Sequence, residues 1–123
     1  MDTLSILTIT DRLLDIINLV RNGKLQQDKR TDEALSQAYA ALVRTQAYAN
    51  RNGARNHDTE HKISELWYQA SIPLRHIDNE LANICNLKGG YWSNPKAWDE
   101  LDTGEYDIAL SNVEKKLRDL LNK

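Results

Sequence analysis

A chain of 123 residues is long enough for one domain with its own core, and 41% hydrophobic with 28% charged residues excludes a wholly disordered protein. A formal charge of −2 gives no overall attraction to nucleic acid or to an anionic membrane. A single cysteine, Cys85, leaves no partner for an internal disulfide, which suits a reducing compartment, and no run reaches the ~18 apolar residues of a membrane span.

The opening "MDTLSILTITDRLL" has no basic leading region, carries Asp2 and is interrupted by Asp11 and Arg12. It therefore reads as the start of a helix rather than a signal peptide, and the expected location is cytoplasmic. Helix one is expected from Leu4 to Asn22, with Ile6, Ile9, Leu13, Ile16, Ile17 and Val20 on one face and Gly23 as its stop. After the connector "KLQQDKR", Thr31 or Asp32 is the expected cap of helix two. Its stripe is Leu35, Ala38, Tyr39, Leu42, Gln46 and Ala49, ending at the turn pair Asn52-Gly53.

The third segment has two interleaved seven-residue series: Ile63, Ala70, Ile77 and Ile84, and Trp67, Leu74 and Leu81. Their phase passes through Pro73, which predicts one long helix kinked there and ended by Gly89-Gly90. Asn94-Pro95 predicts a short helix near residues 95–101, and Asp102 or Thr103 caps a last helix. That helix places Tyr106, Ala109, Leu110, Val113, Leu117, Leu120 and Leu121 on one side. The sum is an all-α protein: one domain over 1–123, a compact antiparallel bundle of four main helices plus the short one.

The stretch "RNGARNHDTEH", residues 51–61, carries three readings. His57, Glu60 and His61 spell His-x-x-Glu-His and so resemble the inverted zincins, whose helix turns two imidazoles toward one ion. Asn56 and Asp58 instead read as the capped start of a helix, with His57 outside it and His61 facing solvent, so no metal is expected. Separately, "RNGARNH" resembles the Arg-x4–6-His signature of HEPN-type domains, small helical bundles that are commonly dimeric and in part cut RNA without metal. That resemblance implies Arg51 holding a phosphate and His57 moving a proton.

Two surfaces look suited to partners. On helix two, Arg44 and Arg51 lie seven apart on the outward face with Tyr48 beside them, and Arg55 extends the row if the helix continues. On the third segment, Tyr68, Ile72, Arg75, His76 and Asn79 lie opposite the apolar stripe, a mixture typical of protein interfaces. Tyr91, Trp92 and Trp98 in "LKGGYWSNPKAW" are expected to seal the end of the bundle, and Cys85 to be a core thiol. The acidic run Asp99–Asp107 lacks EF-hand spacing and is expected to complement the last helix's dipole.

The reading that follows is an interaction or regulatory module with a protein partner, a second copy of itself, or both. It needs no cofactor and performs no chemistry. A metal-independent ribonuclease using Arg51 and His57 is the alternative, and RNA is a partner only under it.

Overall fold

A computed structural model describes residues 6–51, 56–93 and 104–122. They form α1 (Ile6–Arg21), α2 (Lys29–Asn50), α3 (His57–Leu74), α4 (Asn79–Trp92) and α5 (Gly104–Leu121), and no strand occurs among them. The all-helical expectation is met. α3 packs most extensively on α4 and α2, and α1 lies against α5. The expected short helix near 95–101, with Asn94, Pro95 and Trp98, falls outside the described residues, as do Asn52, Gly53 and Arg55.

α1 buries Ile9, Leu13, Ile16, Ile17 and Val20. Removing each such side chain from water contributes ~1.5–3 kcal/mol, and this pull orients the helix. It ends in a Schellman turn: Lys24 N–H donates to Leu19 O (2.9 Å) and Gly23 N–H to Val20 O (3.1 Å). Gly23 sits at φ 72°, a left-handed conformation that glycine adopts without steric cost.

The cap of α2 is Asp28, earlier than the Thr31 or Asp32 the sequence pointed to. Its carboxylate accepts from Thr31 N–H (2.8 Å), while the Thr31 hydroxyl turns back to Gln26 O (3.1 Å). Thr31 is therefore a first-turn residue of the helix. Ala34, Ala38 and Ala41 are fully buried, and their small side chains let neighbouring helices approach. Gln27 donates to Leu120 O (3.2 Å), which ties the end of α5 to the α1–α2 connection. From α5, Val113, Leu117 and Leu120 enter the core, whereas Leu121 lies at the surface.

The long kinked helix is replaced by a hairpin of two helices, α3 and α4. Pro73 fits within the last turn of α3, and the break follows it. There His76 N–H bonds to Pro73 O, Ile77 N–H to Leu74 O and Asp78 N–H to Leu74 O. Asp78 then caps α4 through Leu81 N–H (3.0 Å) and receives Arg12 of α1 on both oxygens (2.9 and 2.8 Å). The reversal thus combines a proline in the last turn of α3 with a cap on α4 that a guanidinium from another helix holds.

Gly89-Gly90 does not end the helix; α4 continues through both to Trp92. A Cβ on Gly89 would lie 2.9 Å from the Tyr68 ring, and Ser64 Oγ donates to Gly89 O (2.6 Å). Glycine here lets α3 and α4 approach closely.

Candidate functional site

Two arrangements gather the residues that the sequence singled out: a polar tie where α2 passes into α3, and a groove between the same two helices at their other end.

The tie centres on Tyr48. The expectation of an outward Arg44–Tyr48–Arg51 strip is corrected here, because Tyr48 is only 6% exposed. Its ring meets the edge of Trp92 (centroids 5.9 Å apart, planes at 76°), so α4 covers this side of α2. Its hydroxyl donates to Glu60 Oε2 (2.5 Å) and accepts from Arg51 Nη2 (2.6 Å) and Asn56 N–H (2.9 Å). One donor and two acceptor sites are thus all in use. The Arg51 guanidinium also lies 4.0 Å from the centre of the Tyr48 ring, a cation–π contact.

Asn56 caps α3 by accepting from Thr59 N–H (3.0 Å). His57 is thereby the first residue of the helix rather than outside it. Its Nδ1 lies 3.4 Å from Glu60 Oε1, and the imidazole is largely exposed. Glu60 itself is 4% exposed. Arg51 and His57 therefore reach the same Tyr48–Glu60 pair from opposite ends. The carboxylate orients the imidazole, and the guanidinium is committed to the phenol on one nitrogen. As built, this is a clamp on the α2–α3 connection with a histidine at its outer edge. His61 is also exposed and pairs with Glu65 (3.1 Å), away from His57's partner. Among the described residues no three His, Cys, Asp or Glu side chains converge on a common point.

At the opposite end, an open groove of ≈ 670 Å³ between α2 and α3 is lined by Lys29, Arg30, Glu33, Gln37, Gln69, Ile72, Pro73 and His76. The antiparallel register of the pair makes it. Trp67 Nε1 donates to Thr45 Oγ1 (3.0 Å) in the middle, and Glu60 meets Tyr48 toward one end, so the start of α2 faces the end of α3. Ile72 projects away from the buried Ile63–Trp67–Ala70–Leu74 stripe and is 56% exposed at the groove's edge.

The predicted outward patch is divided by this geometry. Ile72 and His76 line the α2 side. Tyr68, 40% exposed, lies across Gly89 and Gly90 on the α4 side. Arg75 borders a separate depression with Ser71, Ala82, Asn83 and Asn86. Arg44 lines a third with Thr59, Lys62, Ile63, Glu65, Leu66 and Gln69.

Lys29 and Arg30, which the sequence places in the connector "KLQQDKR", form the α2 half of the groove. They occupy the first turn of α2, where the helix dipole disfavours positive charge by roughly 0.3–1 kcal/mol each. Elsewhere, Cys85 is fully buried, and burial, then the Asp78 carboxylate, pushes its thiol pKa up to about 12. Such a thiol is not a nucleophile near neutral pH. No family model, curated protein or solved structure matches the chain.

Proposed function

We propose that the chain is a helical docking module that binds a protein surface through the α2–α3 groove and performs no covalent chemistry. The observation that carries this is Ile72, 56% exposed in a concave surface between Lys29, Arg30 and His76. Scattered exposed aliphatics are ordinary on protein surfaces, whereas one set in a groove and ringed by charge is the usual arrangement of a partner site. Covering the exposed half of an isoleucine contributes roughly 1 kcal/mol, and the flanking cations add selectivity and rate of encounter more than affinity. The module acts in the cytoplasm on this reading, which the lone buried thiol supports. No helix among the described residues is long and apolar enough to cross a membrane.

The test is a selection of displayed helical peptides on the full chain, with Ile72→Asp as the counter-target. Binders that prefer the wild-type chain support the docking reading. Binders indifferent to Ile72 contradict it.

A second reading, an RNA-cleaving protein of HEPN type, is favoured by one observation: Arg51 and His57 share the Tyr48–Glu60 pair. Under it Arg51 turns from Tyr48 to a phosphate, and His57, oriented by Glu60, moves the proton. Cleavage of RNA in the presence of chelator, lost in His57→Ala and kept in Ile72→Asp, would establish it over the docking reading.

A further inference from the structure

A surface complementary to the groove exists on the same chain. The outward side of α1 carries Asp11, Asp15 and Leu19 at i, i+4 and i+8, a spacing that keeps them in one row. Both aspartates are exposed, and Leu19 is 42% exposed beside them. The row is acidic at one end and apolar at the other. The groove is lined by Lys29 and Arg30 from the first turn of α2, by Ile72 from the last turns of α3 and by His76 from the turn that follows. The two surfaces are complementary in kind: carboxylates for cations, leucine for isoleucine.

The two surfaces are also neighbours on one molecule. Arg12, the residue after Asp11, bonds Asp78, which follows His76 by two positions. An isologous pairing, each row in the partner's groove, closes the contact instead of propagating it into a fibre. Glu33 is the one acidic side chain in the lining, against Lys29 and Arg30.

Resting on the docking reading above, we infer that the occupant of the α2–α3 groove is the acidic face of α1 from a second copy, so that the chain is an isologous homodimer through Asp11, Asp15 and Leu19 against Lys29, Arg30 and Ile72. The assembly depends on ionic strength, because the charges are exposed and screening acts within ~10 Å at 0.1 M salt.

Sedimentation equilibrium on the full chain tests it through an exchange of charge. One variant carries Asp11→Lys and Asp15→Lys, the other Lys29→Glu and Arg30→Glu. All of these positions are exposed, and circular dichroism verifies that both variants fold. Wild type at low salt has a mass near twice 14.1 kDa, which falls toward 14.1 kDa as salt rises. Each variant alone is monomeric, with dissociation at least about tenfold easier. Their equimolar mixture returns to the dimer mass, because each reversed surface meets its complement on the other chain. A wild type that is monomeric throughout overturns the inference, and peptide selection then decides the docking reading on its own. A dimer lost in Ile72→Asp but kept in the α1 variant overturns α1 as occupant and leaves the groove as a docking surface. A dimer indifferent to Ile72→Asp and to both charge reversals overturns inference and docking reading together.

Discussion

Replacing Thr45 by valine probes the joint between α2 and α3 with almost no change in shape. Thr45 and Trp67 are both fully buried, and the indole N–H donates to Thr45 Oγ1 at 3.0 Å. The threonine hydroxyl in turn donates to Ala41 O at 2.7 Å. Valine removes the acceptor and leaves the indole N–H enclosed in apolar surroundings. The loss of the hydroxyl's own bond matters less, since Ala41 O keeps its helical partner. An orphaned buried donor costs about 1–3 kcal/mol, and the added methyl recovers part of it, so a net loss near 1.5 kcal/mol is expected. Urea unfolding followed by circular dichroism, at one fixed protein concentration, reads this as a midpoint lowered by roughly 0.5–1.5 M. The decisive control is Trp67→Phe. In that background Thr45→Val orphans nothing and is close to neutral, giving a coupling of ~1 kcal/mol or more in a double-mutant cycle. Equal effects of Thr45→Val in both backgrounds would refute the reasoning.

Further expectations follow from the turns and from the buried thiol. Asp78→Ala removes both the α4 cap and the Arg12 pair and lowers stability by about 1.5–2 kcal/mol, the pair counting for less than 1 because both side chains are partly exposed. Asp78→Asn keeps an acceptor for Leu81 N–H and loses about half as much; equal losses would assign the whole effect to charge. Gly23→Ala forces a Cβ into φ 72° and costs about 1 kcal/mol in thermal unfolding, with no steric contact to add to it. Cys85 reacts with an aromatic disulfide at pH 8 about 1000-fold more slowly than an unshifted thiol, since a pKa raised to about 12 leaves it protonated there. Rapid labelling of the native protein would contradict its burial.

How far the sequence could be read depended on how many neighbours each helix has. α1 shows one stripe because its buried arc is narrow, and Ile9, Leu13, Ile16, Ile17 and Val20 are buried as the periodicity predicts, Leu4 and the Ile6 side chain lying outside what is described. Tyr48 lies off the Leu35–Leu42 stripe, yet is buried, because Trp92 of α4 and Glu60 of α3 close over a second side of α2. Periodicity within α2 carries no trace of those neighbours. The seven-residue series through Pro73 persisted because α3 and α4 each bury their own stripe across a short turn, so the phase matched by coincidence of length. Asp78 three residues before Leu81 was the local sign of the break, and its Arg12 partner, 66 positions away, was not a local sign at all. Gly89-Gly90 carries the chemistry of a stop, and only the Tyr68 ring resting on it shows that it serves close packing. For the groove, Ile72 and His76 were legible from α3 alone. Lys29 and Arg30 became part of it only through the antiparallel register of α2 and α3.

Occupation of the groove by a second chain is tested most directly by trapping it. Chains carrying Leu19→Cys are mixed with chains carrying Ile72→Cys and treated with a short bifunctional maleimide at low salt, the buried Cys85 staying silent. A mixed cross-linked dimer is expected to dominate, and to disappear when Asp11 and Asp15 are changed to lysine. Monomers alone, or cross-links that survive that charge reversal, would contradict it.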